Sequence, residues 1–265
     1  MSGSLSLDRG LSVLEVLKAS GEPLGVREIA RRLELSAPAV QRILNTLAEH
    51  EYVDQSVETR RYGLGYGVLV LAQHLLKKDR LIELADPELQ ALAAEGCFNA
   101  FLGVRRRSAG MYLLAVQSSS PVVIRSTPGE PMRLHSTALG KALLLGLPDQ
   151  ALRAFLTEAP LEKLTPRTVT EPDHLIAQLQ AAGAVGYTTS LDENILGVIS
   201  IGAPVRNADH KVVAAISVAY PRSVGPQTEI AELGERVVAA AARISAGLGS
   251  GVNGGSGGKG THHAA

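Results

Sequence analysis

The sequence predicts an α+β protein with an N-terminal winged helix-turn-helix, a helical linker and a C-terminal antiparallel sheet with flanking helices. Three observations predict this fold class. Apolar residues recur at helical spacing through the first 50 residues, and two short β-prone runs follow them. From residue 97 onward, strand-like and helix-like runs are interspersed. The length of 265 residues favours two domains over one.

Three helices are expected before residue 50. Leucines at helical spacing predict the first helix from about residue 7 to 19. The segment VREIARRL at 26–33 predicts the second, and only two residues remain for the turn that follows it. Ser36 is a favourable N-cap for the third helix, and Pro38 is tolerated in its first turn. The sequence therefore predicts a helix-turn-helix within an N-terminal domain at residues 1–65.

The third helix has a polar face. At 100° per residue, Arg42 and Asn45 lie opposite its apolar stripe, with Gln41 on the flank. Two short helices joined by a tight turn can place such a face in the major groove of duplex DNA. Amide side chains can pair with adenine, and arginine can pair with guanine or phosphate. The same face also fits an ordinary solvated helix, and the helix alone leaves both interpretations open.

A predicted hairpin follows the third helix. The β-prone runs YVDQ and RYGL flank the polar stretch SVETR, which is typical of a wing, and Arg60 and Arg61 lie near its tip. The net charge is zero, so DNA binding would depend on where the arginines are placed. The predicted DNA contacts are Arg31, Ser36, Pro38, Gln41, Arg42, Asn45, Arg60 and Arg61.

Residues 66–96 predict a helical linker and dimerisation segment. The first part, VLVLAQHLLKK, is strongly apolar, and a second helix is expected to start with Asp86 as N-cap and Pro87 at its first position. An apolar connecting helix has to be buried. A partner subunit or the chain's own C-terminal domain could cover it, and the sequence leaves both possibilities open.

The C-terminal domain is predicted at residues 97–248, followed by a flexible Gly-rich tail at 249–265. Its expected strands are FNAFLGVRR, MYLLAVQ, VVIRS, NILGVISIGAPV and VVAAISVAY. Its expected helices are STALGKALLLGL, DQALRAFLT, PDHLIAQLQAAG and a closing helix from Thr228 to about Leu248.

Several other classes of protein are disfavoured. A single cysteine, Cys97, excludes an intramolecular disulfide, and the histidines lack metal-ligand spacing, so neither a metal nor a cofactor is expected. Ser200 or Ser217 with His135 has no spacing typical of a catalytic triad, so we expect no enzyme. Neither a membrane span nor a signal peptide is predicted, and we expect a cytoplasmic location without membrane association.

Six segments, in order, resemble the IclR family of bacterial transcriptional regulators: LDRGLSVLEVL, REIARRLELS, RYGLG, HSTALGKALL, GYTTSLDENILGVISIGAPV and VVAAISVAYP. The resemblance runs from about residue 5 to 248. It implies a winged helix-turn-helix joined to a GAF-like effector domain, and a homodimer or homotetramer. It also implies binding to double-stranded operator DNA, with palindromic half-sites expected, and modulation by a small, commonly acidic or aromatic, effector.

An effector site follows from the residues and the resemblance together. If Ser136 or Thr137 caps the helix STALGKALL, the free backbone N–H groups at its start would attract a carboxylate. Members that bind very small oxo-acids resemble this chain but have cysteine in place of Ser200, an acidic residue near Leu191 and serine in place of Ala219. We therefore expect a larger, less polar carboxylate. The resemblance implies contacts at Thr137, Ala138, Leu139, Ser190 or Leu191, Ser200, Ser217 and Ala219.

Overall fold

The computed structural model describes residues 4–96, 98–106, 109–117, 124–158, 161–225 and 228–250. It divides into two compact units, residues 1–79 and 80–265. Most of the tail predicted at 249–265, and Cys97, lie outside the described residues. No helix in these described ranges is both long and apolar enough to cross a membrane.

The first unit contains the predicted winged helix-turn-helix. Its elements are α1 (Leu5–Ser20), α2 (Val26–Leu33), α3 (Ala37–Glu49), β1 (Val53–Gln55), β2 (Tyr62–Leu64) and α4 (Gly67–Lys78). The N-cap predicted for the third helix is confirmed, because Ser36 Oγ accepts a hydrogen bond from the backbone N–H of Ala39. The strands β1 and β2 pair antiparallel, with Val53 opposite Leu64, so the predicted wing is also confirmed.

The core of the first unit is built almost entirely from aliphatic side chains. Val13 of α1, Ile29 of α2 and both Val40 and Leu44 of α3 are fully buried together. Tyr62 of β2 completes this core, and its backbone exchanges two hydrogen bonds with that of Leu24. The wing is therefore fixed to the three helices by packing and by backbone pairing.

The second unit is a six-stranded antiparallel sheet with helices on both faces. The sheet order is β5-β4-β3-β8-β7-β6. Its elements are α5 (Arg80–Gly96), β3 (Asn99–Arg106), β4 (Ala109–Val116), β5 (Pro131–Met132), α6 (Ala138–Leu144), α7 (Asp149–Glu158), α8 (Pro172–Val185), β6 (Thr188–Leu191), β7 (Val198–Arg206), β8 (Val212–Pro221) and α9 (Ile230–Ser250).

Each face of this sheet has its own core. On one face, Leu89 of α5 and Val237 of α9 pack with Ile201 and Ile216 of the sheet. On the other face, α6, α7 and α8 supply an apolar cluster that includes Leu139, Leu156 and Leu175. The strands are therefore covered on both sides, in agreement with the predicted α+β class.

The structure differs from two local predictions. Asp86 does not cap a helix, because α5 begins at Arg80 and runs through Pro87. Proline removes one backbone N–H from the helix, but Ala85 and Leu89 on either side of it are fully buried, and this packing continues the helix. The segment VVIRS was expected to be a strand, but its described part, residues 124–126, has no regular structure, and β5 forms the sheet edge instead.

The linker contains two helices, as predicted, but the boundary between them differs from the prediction. Residues 66–96 form two helices with a break at Asp79. The helix α4 belongs to the first unit, whereas α5 belongs to the second unit and contributes to its core. The spacing of the apolar residues indicates helices, as observed, but it does not show where one helix ends and the next begins.

Candidate DNA-binding surface and effector cavity

The outward face of α3 carries the polar residues that the helical projection placed there. Pro38, Arg42 and Asn45 are exposed, and Gln41 is half-buried beside them. Elsewhere in the first unit, Arg31, Ser36, Arg60 and Arg61 are also exposed. All eight predicted contacts are therefore accessible to some degree, on α2, α3 and the wing.

Gln41 has an unusually defined position for a residue on such a face. Its Nε2 donates to Asn45 Oδ1 at 2.8 Å, one turn further along α3, and to the hydroxyl of Tyr62 at 2.9 Å. Tyr62 is buried in β2, so the wing fixes the side chain of a predicted recognition residue. The sequence did not predict this contact.

The four arginines predicted to contact DNA fall into two groups. Arg61 Nη1 donates to the carbonyl of Pro23, and it also lies 3.8 Å from Glu28, which pairs with Arg32. In the described part of the chain, no carboxylate pairs with Arg31, Arg42 or Arg60. Of the four, these three guanidinium groups can neutralise phosphates without first breaking an ion pair.

A wide apolar groove of about 940 Å³ runs between α1, α3 and α4. Leu7 and Leu11 of α1, Ile43 of α3, and Leu71 and Leu75 of α4 line it. The helix α4 has no buried residue, and it exposes six large apolar side chains: Val68, Leu69, Val70, Leu71, Leu75 and Leu76. Such a patch marks an interaction surface.

The second unit contains a polar cavity of about 60 Å³ between the sheet and α6. Six of the eight residues predicted at the effector lie in its lining: Thr137, Leu139, Ser190, Ser200, Ser217 and Ala219. The remaining lining residues are Phe101, Tyr112, Ile124, Arg125, Ser126, Asn194, Ile195 and Val198. The structure does not bring Ala138 or Leu191 to this lining.

Strand register explains which residues face the cavity. Ser190 of β6 pairs with Ser200 of β7, and Ser200 pairs in turn with Ala219 of β8, so the three side chains lie in one row. Successive side chains of a strand point to opposite faces. Leu191 consequently packs into the core on the α5 and α9 side, opposite the cavity. The choice left open between Ser190 and Leu191 is thereby narrowed to Ser190 as the lining residue.

The start of α6 lies unusually close to the sheet. Thr137 is its N-cap: Oγ1 accepts from the N–H of Gly140 at 2.9 Å and donates to the carbonyl of Arg133 at 2.7 Å. A Cβ on Gly202 of β7 would lie 2.7 Å from the carbonyl oxygen of Ala138. Glycine at position 202 therefore allows the helix to approach the sheet closely enough to form one wall of the cavity.

Sequence reasoning missed Arg125 and the two aromatic lining residues. Arg125 is the charged side chain among the lining residues, and it lies on the segment between β4 and β5. The rings of Phe101 and Tyr112 lie 5.6 Å apart across neighbouring strands, and burial raises the pKa of the Tyr112 hydroxyl. Only the pairing of β3 with β4 could have indicated the aromatic pair.

A buried ion pair supports the loop over the cavity. Lys141 of α6 is only 2% exposed, and its Nζ lies 2.6 Å from Glu193, while it also donates to Gln178 and to the carbonyl of Thr189. Burial lowers the pKa of Lys141, and the carboxylate of Glu193 partly offsets this. The next residue, Asn194, accepts a hydrogen bond from Ser136 and lines the cavity.

The environment of His135 does not resemble a catalytic site. Its Nε2 lies 3.0 Å from the carbonyl oxygen of Glu162, and because a carbonyl only accepts, Nε2 carries a proton. Burial lowers the pKa of His135, which favours the neutral ring. The imidazole is therefore held by backbone rather than by a serine hydroxyl.

Two family models match the chain in the order of its two units. The model described as the IclR helix-turn-helix domain matches residues 6–56, and the model described as the bacterial transcriptional regulator IclR C-terminal matches residues 73–246. The chain belongs to the IclR family of bacterial transcriptional regulators. It therefore combines a DNA-binding helix-turn-helix with an effector-binding domain, and its homologues are regulators rather than enzymes.

Individual relatives agree with this assignment. The HTH-type transcriptional regulator BhcR of Paracoccus denitrificans is 28% identical over 246 residues, which cover 93% of this chain and 88% of BhcR. An IclR transcriptional regulator from Alicyclobacillus acidocaldarius has a TM-score of 0.83 and 26% identity, covering 94% of this chain and 100% of that one. An IclR homolog from Microbacterium hydrocarbonoxydans complexed with 4-hydroxybenzoate has the same fold, with a TM-score of 0.79, 22% identity, and coverage of 92% and 98%.

Proposed function

We propose that this regulator binds a palindromic duplex operator through α3 and the wing, and that a small carboxylate bound in the cavity of the second unit changes its operator affinity. The single observation that carries the effector proposal is the cavity lining, in which Arg125 and several hydroxyl groups lie beside apolar and aromatic side chains. Polar groups that converge beside apolar and aromatic side chains are typical of small-molecule sites.

The chemistry of this lining favours an anion with an apolar body. The guanidinium of Arg125 can form charge-assisted hydrogen bonds to a carboxylate, and Ser200 and Ser217 can donate to its oxygens. The aromatic rings of Phe101 and Tyr112 offer an apolar surface to the rest of the ligand. The start of α6 can add backbone N–H groups to this set, because its N-cap, Thr137, satisfies the N–H of Gly140 and not those of Ala138 and Leu139.

Cavity size limits which carboxylates fit without rearrangement. A cavity of roughly 150 Å³ accepts benzene, whereas this one measures about 60 Å³. An aromatic acid would therefore have to displace the side chains at its edge, of which Ile124 and Ile195 are the most readily moved because they lie outside regular structure. We infer that the larger carboxylate predicted from the sequence binds with displacement of this edge.

The effector proposal is tested by a ligand screen followed by a DNA assay. The full chain is screened by thermal shift against aliphatic and aromatic carboxylates, with glyoxylate and 4-hydroxybenzoate as the small and large reference probes. The hit is then titrated by calorimetry into wild-type protein, Arg125→Ala and Arg153→Ala, the last removing an exposed arginine on α7. We expect weaker binding only in Arg125→Ala. Equal binding by all three proteins would remove Arg125 from the site, and binding of glyoxylate-sized acids alone would contradict the larger effector.

We also propose that a second copy of this chain covers the groove between α1, α3 and α4, giving a homodimer. The exposed leucines of α4 support this, because stable interfaces bury roughly 800 Å² per partner around an apolar centre. A dimer would also supply the two heads that a palindromic operator requires.

The dimer is tested with a charge in the groove. Leu71→Glu should lower the mass of the assembly that the full chain forms in sedimentation experiments. Val185→Glu, at an equally apolar exposed position on α8, should leave this mass unchanged. An unchanged mass for Leu71→Glu would place the interface elsewhere.

A further inference from the structure

Gln41, Asn45 and Tyr62 form a small hydrogen-bonded group where α3 meets the wing, which we call the amide pair and its tyrosine anchor. Gln41 and Asn45 are one turn apart on α3, so their side chains lie on the same face. Gln41 Nε2 uses both of its hydrogens within the protein, one to Asn45 Oδ1 and one to the Tyr62 hydroxyl. The amide of Gln41 is therefore fixed in one plane.

This arrangement determines what the pair offers to a ligand. With Nε2 engaged twice, Gln41 Oε1 remains as an acceptor and Asn45 Nδ2 as a donor, with no partner for either in the described part of the chain. Reversing both amides would exchange the two roles, because Gln41 Oε1 would then accept from Asn45 and from the tyrosine. Either way the pair presents one donor and one acceptor side by side.

That combination matches one base edge in the major groove. Adenine presents an acceptor at N7 and a donor at N6. Guanine presents two acceptors, of which one would oppose the acceptor of the pair, and thymine and cytosine each present only one polar group of the two. Resting on the proposed operator binding, we propose that Gln41 and Asn45 jointly read an adenine in each half-site, and that Tyr62 is a positioning residue that makes this reading selective.

The anchor can act in this way because it is itself rigid. Tyr62 is 4% exposed, its ring packs in the core of the first unit, and its backbone N–H and carbonyl both bond to Leu24. A free glutamine amide rotates and can offer a donor or an acceptor to any base, which favours no base strongly. Removing the Tyr62 hydroxyl should thus reduce the discrimination between bases more than the overall affinity for duplex DNA.

The test selects operators from a randomised duplex library with the full-length chain and sequences the bound fraction. Wild type should prefer adenine at one position of each half-site by about 10-fold to 100-fold over guanine. Gln41→Ala and Asn45→Ala should each lose that preference at the same position. Tyr62→Phe should reduce it to a few-fold while binding to random duplex stays within about twofold. The matched control is Ser12→Ala, which removes a hydroxyl on α1 and should leave the selected sequence unchanged.

Each outcome bears on a different claim. Loss of the adenine preference in only one of the two alanine variants would overturn joint reading. An unchanged preference in Tyr62→Phe, with a melting temperature near that of wild type, would overturn the positioning role. If Tyr62→Phe fails to fold, Gln41→Asn, which is too short to reach the tyrosine and Asn45 together, takes its place with the same expected result. Absence of any selected sequence, or no duplex binding by wild type, would instead contradict the proposed operator binding.

Discussion

The two units bury different kinds of side chain. In the described part of the first unit, the fully buried side chains are aliphatic except for Tyr62, and the polar groups of interest lie on its surface. Among its described residues, the second unit buries twelve that are polar or charged, including Lys141, Glu193 and Ser217. A surface that meets a large charged polymer needs exposed polar groups, whereas a site for a small anion needs polar groups inside, where water competes less.

This difference has an energetic consequence. A polar group buried without a hydrogen bond costs several times what one bond contributes, so a polar interior tolerates few changes. Among the described residues, every buried side-chain nitrogen and oxygen has a partner. We therefore expect the second unit to be more sensitive than the first to single polar substitutions.

The largest effect is expected from breaking the buried ion pair. Lys141→Met leaves Glu193 buried without its cation, and this should lower the free energy of unfolding of the second unit by about 3 to 5 kcal/mol. Urea unfolding followed by hydrogen exchange in peptides from β7 and β8 measures this unit separately.

An exposed ion pair provides the control for this prediction. Arg153 and Asp173 are 2.7 Å apart, with side chains 59% and 81% exposed. Arg153→Met should cost less than about 1 kcal/mol, because water solvates the remaining carboxylate. If the two substitutions cost the same, the polar interior of the second unit does not depend on Lys141.

The aliphatic core of the first unit should respond to lost volume. Leu44→Ala removes three carbons from a fully buried position of α3 and should lower the free energy of unfolding by about 2 to 5 kcal/mol. Val57→Ala, at an 89% exposed position of the wing, should change it by less than about 0.5 kcal/mol. Hydrogen exchange in peptides from α1 and α3 reports on both. A similar cost for both variants would show that α3 does not depend on this core.

Two helix N-caps, one buried and one exposed, allow the cost of losing a capping hydroxyl to be compared in the two environments. Thr137→Val removes a buried hydroxyl that both donates and accepts, and should cost about 1 to 3 kcal/mol. Ser36→Ala removes an exposed cap that water can partly replace, and should cost about 0.5 to 2 kcal/mol. Urea unfolding of each unit measures both costs. A larger cost for Ser36→Ala than for Thr137→Val would contradict the expected difference between the exposed and the buried cap.

The smallest expected effect is a pH dependence confined to the second unit. Burial lowers the pKa of His135 in the folded state, so the unfolded chain takes up a proton first as the pH falls. The free energy of unfolding should therefore be highest above pH of about 6.5 and should decrease as the pH falls from there toward the lowered pKa. His135→Asn should remove most of this decrease, and a wild-type stability that rises on acidification over the same range would contradict it.

The same contrast explains what could be predicted from sequence. The bounds of α2, the Ser36 cap and the polar face of α3 depend on neighbours within one or two turns, and helical periodicity identified them. The contact of Lys141 with Glu193 spans 52 residues, and Arg125 reaches the cavity from an irregular segment, so neither leaves a local pattern. Ser200 and Ser217 were placed by family resemblance, and strand register then separated Ser190 from Leu191. At Asp86 a favourable local cap signal was overridden by burial of Ala85 and Leu89.

The central claim is that an acid bound in the cavity of the second unit changes the affinity of the first unit for its operator. The most direct measurement is the Kd of the full chain for its selected operator, with and without a saturating concentration of the carboxylate found by screening. We predict a change of about 5-fold to 150-fold in wild type, and a need for more of the acid in Arg125→Ala to reach the same change. Saturable binding of the acid with no change in the operator Kd would contradict the account.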